Sequence, residues 1–324
     1  MGSGREAGDT VGDAGGDAVG DEQAARWNGP SGNAWVEAQD MVDAMFAPLE
    51  RLLVETFPAG QGGRVLDVGC GTGGTTVAIA RRLGAGGSCV GVDISEPMVG
   101  AARARAERVG ADRAGSERVG SERVGSERVG SEAVGAGVGA VSFVRADAQD
   151  HVFEPPGEFD AVVSRFGVMF FSDPVRAFAN LRRAAKEGAV LRFVVWRDVA
   201  ENPFMTTAER AAAPLMPGLP ARDPDAPGQF ALADADKVRR LLEGAGWTGV
   251  GLRAVDVECV MPEKELVPYF SRFGPVGIAL RDADETTRSR VVSAVRPAFD
   301  PYVHEGEVRF TAACWQIDAR AGRG

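Results

Sequence analysis

The run Val65-Leu66-Asp67-Val68-Gly69-Cys70-Gly71-Thr72-Gly73-Gly74 constrains this chain more than any other stretch of it. It reads as a short apolar strand, a tight glycine turn, and a helix start at Thr75-Thr76-Val77-Ala78-Ile79-Ala80. Glycines at alternate positions allow φ > 0 and present no Cβ to a ligand lying across the turn. The free N–H groups of the turn and of the helix N-terminus can face a polar or anionic group. A small-molecule cofactor site is the expectation.

From Arg64 onward, strand and helix patterns alternate. Strand 65–68 is followed by a helix to about Leu83, strand 89–92, and a helix from Glu96 to about Arg108. Strands at 141–145 and 160–164, a helix at 174–185 and a strand at 189–196 continue the series. A helix at 234–245 and strands at 249–260 and 307–318 complete it. Alternating βα units with near-continuous apolar strands imply a parallel sheet covered on both faces. The expected fold is α/β, Rossmann-like and doubly wound.

Three segments stand outside this rhythm. Residues 1–24 are mostly Gly, Asp and Ala and are expected to be disordered. Residues 25–60 read as an N-terminal helical segment, with Val42, Met45, Phe46, Leu49, Leu52, Leu53 and Phe57 at helical spacing and a division expected at Pro48. Residues 61–324 form the main domain. Within it, 106–139 carries a five-residue repeat of the Ser-Glu-Arg-Val-Gly type. A glycine every fifth residue costs a helix roughly 1 kcal/mol each relative to alanine, so a surface loop is expected. The block 264–305 is helical in composition and forms a cap insertion between the last two strands.

Composition narrows the partners. A formal net charge of −10 argues against nucleic acid and anionic membranes. Cys70, Cys89, Cys259 and Cys314 show no short spacing, and with two histidines in the chain no metal site is expected. No stretch approaches the roughly 20 apolar residues of a membrane span, and the N-terminus lacks signal-peptide character. A cytoplasmic protein is expected.

The fingerprint Gly69-x-Gly71-x-x-Gly74 alone is compatible with a dinucleotide. Its surroundings add three carboxylates at strand ends: Asp67, Asp93 in Gly91-Val92-Asp93-Ile94-Ser95, and Asp147 in Arg145-Ala146-Asp147-Ala148. A carboxylate at the tip of the second strand can accept both hydroxyls of a ribose, of NAD or of another adenosine cofactor. Taken in order with Phe159-Asp160-Ala161-Val162, these motifs resemble those of class I S-adenosylmethionine-dependent methyltransferases. Ser164-Arg165-Phe166-Gly167-Val168-Met169-Phe170-Phe171, Asp173-Pro174 and Glu201-Asn202-Pro203-Phe204 resemble a bacterial small-molecule branch, grouped with ubiquinone/menaquinone C-methyltransferases by sequence similarity only.

That resemblance implies a seven-stranded sheet, mostly parallel, with an antiparallel last strand, and S-adenosyl-L-methionine as cofactor. It implies that Gly69, Gly71 and Gly73 pass beneath the methionine part and that Asp67 orients its amino group. Asp93 would bind the ribose, Ile94 and Met98 would pack on the adenine, and Asp147 with Ala148 would read its edge. Ser164, Arg165 and Phe166 would form the wall beside the methyl group. Glu187-Gly188-Ala189 departs from the family's usual turn before the fifth strand.

The expected partner is a small-molecule methyl acceptor, because Phe204, Met205, Phe230, Phe270 and Phe273 lie in segments that should flank a pocket. Trp27 and Trp35 could line it from the N-terminal helices. Methyl transfer from a sulfonium needs alignment and exclusion of water, and a base only for an acceptor that holds its proton tightly. His151 and His304 are the histidines available for that, and no residue is assigned as catalytic. An NAD-dependent oxidoreductase and a non-catalytic S-adenosylmethionine-binding regulator remain the alternatives at this point.

Overall fold

A computed structural model describes residues 14–121, 137–220, 222–223 and 226–322. Three helices precede the sheet: α1 (Ala14–Asn28), α2 (Pro30–Glu37) and α3 (Gln39–Val54). Then β1 (Gly63–Val68), α4 (Gly74–Leu83), β2 (Gly87–Asp93), α5 (Glu96–Ser121) and β3 (Ala140–Arg145) form the first half. The second half holds β4 (Phe159–Arg165), α6 (Pro174–Ala184), β5 (Ala185–Trp196), α7 (Pro203–Ala212), α8 (Ala235–Gly244) and β6 (Trp247–Pro262). The cap comprises α9 (Leu266–Arg272), α10 (Gly274–Arg281) and α11 (Glu285–Val295). A short β7 (Val303–His304) hairpins into the long β8 (Glu307–Ala321).

The strand order is β3-β2-β1-β4-β5-β8-β6. β1 to β5 pair in parallel, and β8 runs antiparallel to both β5 and β6. The sheet is thus mixed and mostly parallel, as the alternation implied. It carries one strand more than seven, because β7 pairs only with β8. The first crossover, β1-α4-β2, runs outward on one side of β1, and β4 lies on the other. The chain therefore reverses direction across the sheet between β1 and β4, and loops leaving their C-terminal ends diverge to leave a crevice.

Strand burial explains the assembly. Leu66, Val68, Val92, Val162, Leu191, Phe193 and Val195 are buried in the main core. Val65, Cys89, Ala161 and Val163 face a second cluster under α4. Both faces of the central strands are covered, so their sequences run apolar without alternation. Asn202, 1% exposed, ties the exit from β5 to β8. Its Nδ2 donates to the Ala313 carbonyl at 2.9 Å, and the Ala313 N–H donates to its Oδ1 at 3.0 Å.

Four expectations need correction. Helix α1 begins at Ala14, inside the tail expected to be disordered to 24, and residues 1–13 lie outside the described residues. Its C-terminal end is fixed to the sheet: the Asn28 side chain donates to the Ile94 carbonyl at 3.1 Å and accepts from the Glu96 N–H at 2.8 Å. Pro48 does not divide the second helical stretch but lies inside α3. Met45, Phe46, Leu49 and Leu53 are buried on both sides of it, and their burial outweighs the roughly 3 kcal/mol that an internal proline costs. The breaks fall instead around Gly29 and Ala38.

Helix α5 runs on to Ser121, through the first turns of the repeat expected to be a loop, while 122–136 lie outside the described residues. Met98, Val99 and Ala102 bury its start, and a helix with a packed nucleus propagates at far lower cost than it nucleates. Finally, β5 begins at Ala185 rather than 189, absorbing Glu187-Gly188 as a bulge with Gly188 at φ +75°.

Candidate active site

The turn after β1 is held open by close backbone packing. Gly69, Gly71 and Gly73 have φ of +65°, +55° and +80°. A Cβ on Gly69 would lie 2.5 Å from the Gly167 Cα, so the glycine turn and the loop leaving β4 touch backbone to backbone. At Gly71 the space is free, with the Met98 Sδ the nearest atom at 3.8 Å. The Asp93 carboxylate fastens this turn to the tip of β2. Oδ2 accepts from the Gly71 N–H at 2.8 Å and Oδ1 from the Ser95 N–H at 2.9 Å. Burial pushes the Asp93 carboxyl above its usual range, opposed by these backbone donors.

A first cavity opens above this turn. Gly69 and Gly71 form part of its floor, Asp93, Ile94 and Met98 one side, and Asp147 and Ala148 the far end. Arg165, Phe166 and Gly167 close the side toward β4. The far end is latched from behind. The Asp147 Oδ1 accepts from the Gln149 N–H at 2.8 Å, and Asn180 on α6 donates to the carbonyls of Ala148 and His151 at 3.0 and 2.8 Å. Burial raises the half-buried Asp147 carboxyl as well. Gln23 and Trp27 of α1 cover the cavity from outside.

Nine of the twelve residues named from the sequence line this cavity, and three do not. Asp67 is buried beneath the turn, where its Oδ2 accepts from the Thr76 Oγ1 at 2.6 Å. Burial pushes its carboxyl up to about 7. Gly73 caps α4, and a Cβ there would meet Phe143 at 2.8 Å and Ala102 at 2.9 Å, so its role is packing. Ser164 faces the strand: its Oγ donates to the Val68 carbonyl at 2.7 Å and accepts from the Gly167 N–H at 3.1 Å. Each braces the turn rather than forming its surface.

Phe166 is a non-glycine residue at φ +69°. That backbone conformation is strained, and here the ring's surroundings hold it. The ring stacks on Trp196 at 4.7 Å between centroids with planes 3° apart, and Phe46 meets both edge-on at 5.5 and 5.9 Å. Phe166 thereby forms a wall common to the first cavity and to a second, larger one. Trp27, Trp35 and Phe170 are shared in the same way.

The second cavity has a volume of about 1000 Å³. Phe204, Met205, Phe230, Phe270 and Phe273 all line it, brought together from α7, the loop before α8 and the cap. Val42, Met45 and Phe46 of α3 supply the wall opposite. Tyr269 lines it too, with its hydroxyl 3.4 Å from the Met205 Sδ and its pKa driven up by burial. Charged side chains line it as well, among them Arg26, Asp198, Asp234 and Asp236, and Glu209 and Arg222 form an ion pair, with Arg222 also 5.1 Å over the Phe230 ring. Neither histidine lines either of these two cavities. His151 packs edge-on to Phe153 at 4.8 Å, and His304 pairs with Glu307 in the β7–β8 hairpin.

Two buried polar atoms along the first cavity have no hydrogen-bond partner, the Gln23 Oε1 and the Arg165 Nη1. Sequence reasoning missed Gly167, Gln149 and Asn180. Gly167 stood inside a quoted motif, and its spacing to a glycine turn was the available signal. Among the described residues no group of His, Cys, Asp and Glu is placed to hold a metal ion, and no helix is long and apolar enough to cross a membrane.

Residues 66–193 match a family described as "Methyltransferase domain". Over 146 residues the chain is 34% identical to Nocamycin O-methyltransferase of Saccharothrix syringae, covering 45% of this chain and 42% of that protein. It is 25% identical over 194 residues to the ubiquinone/menaquinone biosynthesis C-methyltransferase UbiE of Proteus mirabilis, covering 60% and 63%. The chain thus spans about half the length of the curated relatives it matches. The fold resembles the crystal structure of the YcgJ protein of Bacillus subtilis, with a TM-score of 0.50 at 17% identity, covering 85% of this chain and 98% of that one.

Proposed function

We propose, from the match of residues 66–193 to the methyltransferase-domain family, that the chain transfers a methyl group from S-adenosylmethionine to a small, mainly apolar acceptor. The observation that carries this reading is the pair of cavities meeting at Phe166. One sits at the strand ends with the Asp93 and Asp147 carboxylates in its walls, while the other is large and lined by aromatic side chains with charged groups among them. The Nocamycin and UbiE relatives, both named as methyltransferases, support a small-molecule acceptor.

The residues fit the cofactor. Open space above Gly71 leaves room for a chain crossing the turn, and Asp93 keeps lone pairs on both oxygens for ribose hydroxyls after accepting one N–H each. Ile94 and Met98 offer apolar faces for adenine, with Asp147 and Ala148 at its edge. Asp67 acts from below, through the turn. When bound, S-adenosylmethionine supplies a methyl group already activated by a sulfonium.

The chain's own residues then align and shield. Phe166, Trp196 and Phe46 set the direction from which an acceptor approaches, and proximity of this kind supplies roughly 7–11 kcal/mol. Trp27 and Trp35, packed edge to face with centroids 6.4 Å apart, exclude water from above. A general base is needed only where the acceptor holds its proton tightly at neutral pH. Four buried cysteines, none in a disulfide, suit a cytoplasmic site of action.

The test is a thermal-shift comparison of S-adenosylhomocysteine with NAD, followed by transfer of labelled methyl to a panel of phenols, enols and amines. Stabilisation by S-adenosylhomocysteine alone and label in an apolar acceptor are expected. Stabilisation by NAD alone, or binding without transfer across the whole panel, overturns the reading.

A further inference from the structure

The two cavities meet along Trp27, Trp35, Phe166 and Phe170, which line both. A methyl group passing from one to the other crosses there. Arg26, in the last turn of α1, stands at this junction, its guanidinium carbon 5.5 Å from the centre of the Trp27 ring and 5.9 Å from that of Phe170. It lines the aromatic cavity and not the strand-end one, so it faces the acceptor rather than the donor. The residue is exposed, and a ligand can reach it. Among the described residues Arg26 has no carboxylate partner and no hydrogen-bond acceptor.

The charged group that acts on Arg26 is a second cation, Arg281 at the end of α10, and burial and Arg281 both lower the Arg26 pKa. Two cations brought together without an acid cost free energy that an anion beside them offsets. The acids lining the same cavity are committed elsewhere. Glu209 pairs with Arg222, and Asp236 with Arg239. Asp198 accepts from the Ala200 N–H and Asp234 from the Lys237 N–H, each at 2.8 Å. Asp223 and Lys237 are engaged as well. This arrangement selects among acceptor atoms, because the atom that is methylated lies between the sulfonium and Arg26. An amine would take over the sulfonium's positive charge on methylation, beside a guanidinium and among aromatic rings. An ionised oxygen is attracted from both sides, and its methylation turns an anion and a sulfonium into two neutral groups. Walls of low dielectric favour that loss of charge, and aromatic walls favour an aromatic partner.

We propose that the acceptor is a phenol bound as its oxygen anion, and that Arg26 holds this anion by donating N–H bonds to the oxygen, with Arg281 adding to the positive field. The proposal rests on the donor reading above and names the acceptor class and the residue that selects it. The phenol's proton leaves to solvent before transfer. A lone pair of the oxygen then forms the O–CH3 bond, and the electron pair of the breaking S–CH3 bond returns to sulfur, leaving a thioether. Arg26 serves in place of a base by keeping the acceptor ionised.

The experiment titrates the full chain, saturated with S-adenosylhomocysteine, with 4-nitrophenol, 1-naphthol and alizarin, whose absorbance reports ionisation of the bound phenol. 4-Nitroaniline and 1-naphthylamine are the amine counterparts. Wild-type protein is expected to bind a phenol about tenfold more tightly than its amine and to raise its ionisation constant about tenfold over the free phenol. Arg26→Met is expected to return that constant to within about twofold of the free value and to leave S-adenosylhomocysteine affinity within about twofold. Arg26→Lys keeps the charge and is expected to retain most of the shift, which decides the matter if the Met variant fails to fold. A bound phenol that ionises no more readily than in solution overturns the proposal, as does a shift that survives Arg26→Met. Equal weakening of phenols and amines marks Arg26 as packing on Trp27 and Phe170 and also overturns it. So does wild-type protein that binds S-adenosylhomocysteine but none of the phenols, or that prefers the amines. Failure to bind S-adenosylhomocysteine overturns the donor reading itself, an outcome separate from these.

Discussion

The two cavities are built in opposite ways. The strand-end cavity, the proposed cofactor site, draws its floor and ends from the C-terminal tips of β1, β2, β3 and β4, within a few residues of each strand. Its backbone is fixed by hydrogen bonds such as those from Gly71 and Ser95 to Asp93. The aromatic cavity gathers side chains from α1 through α3, α7, the loop before α8 and the cap, and rings hold it together. A site made by backbone tolerates little change. A site made by packed side chains can be resurfaced, because apolar interiors accept substitutions of similar volume at modest cost.

The largest expected effect attacks the backbone half. Gly69→Val places a branched side chain at φ +65°, with its Cβ 2.5 Å from Gly167. S-Adenosylhomocysteine affinity should fall more than about 100-fold by calorimetry, since neither backbone segment can retreat without breaking strand pairing. An affinity near wild type would remove the glycine turn from the cofactor site.

On the aromatic side, Phe204→Ala deletes a ring stacked on Phe310 at 3.9 Å. Denaturant unfolding should show a loss of about 3–5 kcal/mol. Cofactor affinity of the folded fraction should change by less than about threefold, as for independent sites. Should cofactor binding collapse in protein that is still folded, the two halves are not separable.

Asp93→Asn is a smaller step. The amide keeps one acceptor, so either Gly71 or Ser95 loses its partner, and affinity should drop about tenfold. Protonation mimics this change, so wild-type affinity should also weaken as the pH falls, and the Asn variant should lack that slope. A slope that persists in the variant assigns it to another group.

The smallest effect concerns Asp67. Its carboxyl titrates near 3.8 in a free chain and is pushed up to about 7 by burial in the folded one. Folding therefore takes up a proton between these values. The stability this provides is fully present below the lower value and is lost as the pH rises through about 7. Asp67→Asn, which still accepts from Thr76, should flatten that decline in melting temperature by a few degrees. An unchanged decline would mean that Asp67 is not its source.

The same contrast governs what the sequence could tell. Strand ends and the glycine turn were legible because the chemistry lies within short, contiguous motifs, and Asp93, Asp147 and Ala148 fall at the cavity where those motifs put them. Asp67 and Ser164 belong to the same motifs yet support the turn from behind, since a one-residue step along a strand changes the face a side chain meets, and Gly73 packs at the N-cap of α4. The aromatic residues were recognisable as pocket-forming without any sign of which would meet. That Trp35 touches Phe273 at 5.2 Å, or Phe166 stacks on Trp196, depends on how separate helices dock. Pro48 was misjudged because local propensity was weighed without the burial that overrides it, while α5 reaches Ser121 inside a repeat whose residues 122–136 lie outside the described residues.

Asn202 gives the molecule a seam. Two hydrogen bonds to a single residue of β8 fix the direction in which the chain leaves the sheet at Pro203. Any block of chain spliced in after that point and returned at Glu307 inherits the same starting angle over the same donor pocket. That stretch carries only part of the aromatic cavity, whose other walls, Trp27, Trp35, Phe46 and Phe166, stay behind with the strand-end cavity.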